Sequence, residues 1–119
     1  MTTCPEMVAG PERYDTMIMQ AAPGKVVSKG GAEGYQGMGV APGALGPGSP
    51  ALGIAIKISD DDRAERAVTT VALAVLLQLG VLGETERAAL ACFDRRALYN
   101  WRQIEIGEIR PCFDLKSLI

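Results

Sequence analysis

With 119 residues, 12 Lys and Arg against 14 Asp and Glu, and no histidine, the chain has a net charge of −2. It therefore has no basic excess to neutralise phosphates, and its few aromatics are scattered rather than interleaved with arginine, which argues against nucleic-acid binding. The lack of histidine rules out a Ser-His-Asp triad, so acid–base work falls to lysine, a carboxylate or tyrosine.

The start, Met1 to Glu6, lacks the basic region and apolar core of a secretory signal, and no apolar run reaches the roughly 18 residues of a membrane span. The expectation is a cytoplasmic chain with no membrane partner, forming one folding unit or part of one. Pro5, Gly10, Pro11, Pro23 and Gly24 fence off a helix predicted from Glu12 to about Ala22. A strand from Lys25 to about Lys29 follows, and Tyr35–Val40 alternates well enough to be a second. Ala41–Pro50 has the composition of a long hairpin loop. In the third strand, Ala51–Ile58, Ile54, Ile56 and Ile58 share one face.

Ser59-Asp60 is predicted to cap a helix whose first turn carries Asp61 and Asp62 at the positive end of its dipole, ending near Leu79 with Gly80 as a left-handed stop. The aspartate triplet lacks the alternating oxygen ligands and distal glutamate of a calcium loop. Val71–Leu77 has no polar face, and a helix apolar all round must be covered on every side. One small sheet and a short helix over Glu84–Phe93 fall short of that cover. The expectation is thus a chain that belongs to a larger α+β structure, or that buries this helix against a homo-oligomeric or complementing partner. Gln103–Arg110 alternates like a half-buried strand that ends at Pro111.

Cys4, Cys92 and Cys112 are widely spaced with no Cys-x-x-Cys pair, so the reading is structural thiols, no metal site and no cofactor. No Gly-x-x-x-x-Gly-Lys loop or Gly-x-Gly-x-x-Gly turn joins a strand to a helix, which argues against nucleotide binding.

The stretch with most chemical content is Lys25–Gly34, where Lys29 follows the β-branched Val26 and Val27 and directly precedes Gly30 and Gly31. A strand presents an amine in this way, and the missing Cβ atoms let another group approach the main chain beside it. Read alone, a lysine so placed is more often a solvated charge leading into a turn. Serine-lysine chemistry fits the amine, but no Ser-x-x-Lys helix accompanies it.

Pro5-Glu6-Met7-Val8-Ala9-Gly10, Arg13-Tyr14-Asp15-Thr16, Ala22-Pro23-Gly24, Lys29-Gly30-Gly31-Ala32-Glu33-Gly34, Gly53–Ile58 and Gly107-Glu108-Ile109-Arg110-Pro111 together resemble the C-terminal part of the asparaginase II family, the Rhizobium-type L-asparaginases. The order and spacing match over nearly the entire chain. The resemblance implies a fold like the serine β-lactamases and glutaminases, with an antiparallel sheet packed against helices. It implies hydrolysis of L-asparagine, or a similar small amide, to L-aspartate and ammonia through serine-lysine pairs. It also implies that Lys29 is catalytic, hydrogen-bonding a serine and balancing charge during acyl transfer, with the Gly30 and Gly31 backbone lining the substrate site. Family members are longer. Residues 1–119 are thus expected to be a C-terminal segment, inactive alone, whose nucleophilic serines, first lysine and cysteine-containing zinc site come from an N-terminal half. The competing expectation is a non-catalytic remnant that serves as an oligomerisation or interaction module through the helix containing Val71–Leu77.

Overall fold

A computed structural model describes residues 3–59, 62 and 66–116. Two short helices open it, α1 (Glu6–Ala9) and α2 (Tyr14–Ala21). The sequence reading starts α2 at Glu12, but Glu12 has φ +61° and Arg13 is extended, so the helix begins two residues later. The Thr16 hydroxyl latches α1 onto α2 by donating to the Gly10 carbonyl at 2.5 Å. One face of α2 is buried, with Tyr14, Asp15, Thr16, Ile18 and Met19 turned inward.

Three strands follow, β1 (Val26–Gly31), β2 (Tyr35–Val40) and β3 (Leu52–Lys57), antiparallel in the order β1-β2-β3. β1 does not end at Lys29 as its sequence suggests. It runs on through both glycines, so Lys29 lies within the strand, paired with Gly37. The hairpin then turns through Glu33 at φ +62° and Gly34 at φ +70°. Gly34 is needed for space as well as for its dihedral, because a Cβ there would lie 3.0 Å from the Asp62 Cβ. Alternation in β3 is as expected, with Leu52, Ile54 and Ile56 half-buried and Gly53, Ala55 and Lys57 exposed.

Helix α3 (Val68–Leu79) begins well after the predicted start. Arg66 and Ala67 form a bend, while Asp60 and Asp61 lie outside the described residues. An aspartate does serve the helix end, but from the preceding loop: the Asp62 carboxylate accepts the backbone N–H of Ala67 at 2.9 Å and of Val68 at 2.7 Å. Gly80 ends the helix in the left-handed conformation, as predicted.

The segment predicted as one helix over Glu84–Phe93 is two, α4 (Glu84–Ala89) and α5 (Ala91–Asp94), broken at the fully buried Leu90. A hairpin unread in its first half follows, β4 (Arg96–Tyr99) and β5 (Glu105–Ile109), which forms its own two-stranded sheet with an irregularity between Leu98 and Tyr99.

The core lies between the inner face of the three-stranded sheet and α2, α3 and α5. Ile18, Met19, Val26, Met38, Val40, Leu73, Leu76 and Leu90 make one cluster, each large side chain contributing about 1.5–3 kcal/mol by its burial. The expectation that α3 outstrips the cover one chain can give is corrected here. Ala72, Leu73, Ala74, Val75 and Leu76 are all buried, and only Val71 and Leu77 are half-buried within Val71–Leu77. The segment after β5 is tied to the C-terminal end of the helix. The Gln78 side-chain amide donates to the Phe113 carbonyl at 2.8 Å and accepts the Leu115 N–H at 2.7 Å. The architecture is α+β with antiparallel sheets, and among the described residues no helix is long and apolar enough to cross a membrane.

Candidate functional site

The alternation of β1 puts Val26 and Ser28 on the buried face toward α2 and leaves Lys29 exposed on the other. A serine on an otherwise apolar face requires a partner. Ser28 donates to one carboxylate oxygen of Asp15 at 2.6 Å, and the same oxygen accepts from the Gln36 amide at 2.6 Å. Gln36 also donates to the Ser28 hydroxyl oxygen at 2.7 Å, while the second Asp15 oxygen accepts the Gly30 backbone N–H at 2.8 Å. Asp15, Ser28 and Gln36 are all buried, and the carboxylate works as a pure acceptor for three donors. The residues immediately before and after Lys29 are therefore both anchored to one carboxylate on α2.

On the outer face the sheet is nearly bare of side chains. Lys29 stands opposite Gly37, Val27 opposite Gly39 and Gly31 opposite Tyr35. A Cβ on Gly31 would lie 2.9 Å from the Tyr35 ring, and one on Gly37 would lie 3.2 Å from the Tyr35 phenol oxygen. The ring is thus folded across the glycine stripe, with its hydroxyl beside the residue paired with Lys29. An open hollow of about 580 Å³ occupies this face, lined by Lys29, Tyr35, the glycines and Ala55. A second hollow of about 440 Å³ lies between α1 and β1, lined by Ala9, Arg13, Asp15, Lys29, Gly30 and Gly31 among others. Lys29, Gly30 and Gly31 line both hollows.

All three residues singled out in the sequence thus line the same two hollows, and the close approach that the missing Cβ atoms allow is made by side chains of this chain. The space that Gly31 leaves open is taken by the Tyr35 ring, and Gly30 faces the Asp15 and Gln36 side chains at 3.5 and 3.4 Å from its missing Cβ position. Asp15, Gln36, Tyr35 and Arg13 were assigned no role at the site from the sequence. The available signal was Ser28 and Gln36 on the core-facing registers of β1 and β2, since two buried polar residues imply a third group between them.

Next to Asp15, Tyr14 is buried against Phe93 with ring centroids 5.2 Å apart in an edge arrangement, and its hydroxyl points at the Met38 sulfur at 3.7 Å. Burial, helped by the Asp15 charge, raises its pKa far above the usual phenol value. The reading of the cysteines as structural thiols is corrected: Cys4, Cys92 and Cys112 are free and exposed, so none packs in the core. Among the described residues no three His, Cys, Asp or Glu side chains are grouped to hold a metal ion. Among the described residues there is thus no counterpart of the zinc site that the resemblance implies for the upstream half.

A family model described as L-asparaginase II matches residues 1–111. No curated protein matches the chain.

Proposed function

The chain belongs to the L-asparaginase II family, and from that premise we propose that it forms the C-terminal part of a serine-lysine amidohydrolase with a β-lactamase-like fold, acting on L-asparagine or a similar small amide. The observation that carries this reading is the setting of Lys29. Lys29 belongs to a strand fixed by Asp15 at the residues on both sides of it, on the exposed sheet face, and its strand partner Gly37 has the Tyr35 phenol oxygen beside it. Fixing the backbone on both sides of a reactive group limits its wandering, and positioning is a large part of what a catalytic group contributes.

In this reading a serine hydroxyl from an N-terminal half or a complementing chain attacks the amide carbon, ammonia leaves with the proton taken from the hydroxyl, and water releases L-aspartate from the ester. Lys29 hydrogen-bonds the attacking hydroxyl and offsets the negative charge that develops on the amide oxygen. Gly30 and Gly31 provide the adjoining wall. Ser28 is not the nucleophile: its Oγ is committed to Asp15 and Gln36 on the opposite face of β1.

The test is Lys29→Met in the assembly that carries the Ser-x-x-Lys segment. The expected result is a fall in kcat of about 100-fold, the scale of losing one positioned acid–base group. Lys25→Met and Lys57→Met are the controls. Lys25 lies 3.9 Å from Glu86, and Lys57 bonds the Glu33 carbonyl, so both have structural partners. Each should stay within about threefold of the parent. Near-normal turnover by Lys29→Met would refute the assignment. The 119-residue chain alone should release no ammonia above a heat-killed control.

The competing module reading relied on an uncovered face of α3, and α3 is covered. An exposed apolar surface does exist, but on the β4–β5 hairpin at Tyr99, Trp101, Ile104 and Ile106.

A further inference from the structure

Strand β3 is an edge of the three-stranded sheet, with β2 as its single neighbour. The ladder fixes which way its backbone groups point. Ile58 donates its N–H to the Gly34 carbonyl at 2.9 Å, so the even-numbered residues of β3 bond toward β2, and Gly53, Ala55 and Lys57 turn their N–H and C=O groups outward. Among the described residues no hydrogen bond reaches those outward groups. The opposite edge differs, because on β1 the outward N–H of Gly30 is taken by the Asp15 carboxylate. An open, regular edge is a template for another strand, and proteins commonly blunt one with proline, a bulge or an inward charge. Residues 52–57 carry none of these. The register with β2 runs without a shift, and the one charged residue, Lys57, lies on the exposed face with its amine bonded to the Glu33 carbonyl.

The edge is complementary to itself. A two-fold axis through Ala55, perpendicular to the sheet, sets Ala55 opposite Ala55 of a second copy, Ile54 opposite Ile56, Gly53 opposite Lys57 and Leu52 opposite Ile58. In this register Gly53, Ala55 and Lys57 exchange N–H···O=C bonds with the same outward groups of the second copy. The half-buried Leu52, Ile54, Ile56 and Ile58 meet only one another on the inner face, and Lys57 faces a glycine rather than a second lysine. A Cβ built on Gly53 meets nothing within 4 Å, so the outer side of the edge has room for the incoming Lys57 stem. A slip of one position would set inner-face residues against outer-face ones, and a slip of two takes Leu52 or Ile58 out of the apolar row. We propose that β3 is the interaction surface for a second copy of this chain, joined edge to edge so that the two sheets become one. One strand pair is small beside the roughly 1,600 Å² of a standard interface, so the association is weak, with Kd on the order of 100 µM.

The experiment is sedimentation of the 119-residue chain from about 10 µM to about 1 mM, combined with NMR on a mixture of labelled and unlabelled copies. A reversible shift from monomer to dimer is expected. Between the two concentrations, amide exchange at Gly53, Ala55 and Lys57 should slow about fourfold, as the free-edge population falls. The mixed sample should show an intermolecular Hα–Hα contact between Ile54 and Ile56, which face each other in the closely spaced, non-hydrogen-bonded pair. Ala55→Pro removes an N–H that points outward, where proline is tolerated, and should keep the fold while abolishing the dimer. Trp101→Ser removes the exposed apolar side chain of the β4–β5 hairpin, the rival surface, and should leave the association within about twofold of the parent. The wild-type contact needs no variant, so a folding defect in Ala55→Pro leaves the decision to it. A chain still monomeric at about 1 mM, a dimer without the Ile54–Ile56 contact, a folded Ala55→Pro that still dimerises, or a dimer lost in Trp101→Ser would each overturn the proposal.

Discussion

Two regions of the chain hold polar groups in place by opposite means. Around Asp15, three side chains are buried in a closed set of hydrogen bonds between 2.6 and 2.8 Å. In the β4–β5 hairpin, Arg95 reaches Glu108 and Glu105 across the strands and Arg110 reaches Glu108, but all of these side chains are substantially exposed. The hairpin also leaves Trp101 fully exposed. A buried acceptor left without its partner is costly, whereas an exposed ion pair merely returns to water. The first region therefore fixes geometry for the site, and the second is free to vary.

The largest effect should follow from Asp15→Ala, which leaves the Ser28 hydroxyl, the Gln36 amide and the Gly30 N–H without their acceptor. Ser28 and Gln36 retain each other, so the expected loss is about 3 kcal/mol rather than the sum of three orphaned donors. Urea unfolding of the 119-residue chain measures it. A loss below about 1 kcal/mol would mean that water replaces the carboxylate and that the two regions do not differ in kind.

Alkaline pH tests the same buried region. Burial raises the Tyr14 pKa in the folded state, so its proton is lost more easily from the unfolded chain. Stability from this group is complete below the unfolded value of about 10 and declines as pH rises above it, with a slope of about 1.4 kcal/mol per pH unit. Urea midpoints at pH 9 and pH 11 should therefore differ, and Tyr14→Phe should flatten the dependence. A Tyr14→Phe protein with the parent's slope would remove Tyr14 as its cause.

The contrast also explains how much could be read from the sequence. β2 was readable to the residue because Tyr35–Val40 alternates against glycines, and the Gly80 stop followed from conformation alone. The start of α3 was not readable, because Asp62 caps it through a loop, and a cap in space leaves no spacing rule in the chain. β4 was missed because Arg96–Tyr99 is only partly covered and lacks a buried face to impose a period. At the site, Lys29, Gly30 and Gly31 were visible as a local motif. The contribution of Asp15 depends on a residue 13 positions before Ser28 and 21 before Gln36, a separation that only the packed fold reveals.

The smallest effect should come from the hairpin. Hydrogen bonds donated to Glu108 and then to Glu105 raise the Arg95 pKa, yet the guanidinium is exposed, so little of that interaction survives as stability. Arg95→Ala should leave the melting temperature of the chain within a few degrees and spare the Asp15 region altogether. Its effect should be local: faster amide hydrogen exchange at Leu98, Gly107 and Glu108, with no change at Ser28 or Gly30. Salt provides the complementary arm, because at about 1 M the Debye length is near 3 Å and the wild-type hairpin should exchange like the variant. If Arg95→Ala instead unfolded the chain or loosened Gly30, the hairpin and the site would be one cooperative unit, and the distinction between a region that fixes geometry and one that tolerates change would fall.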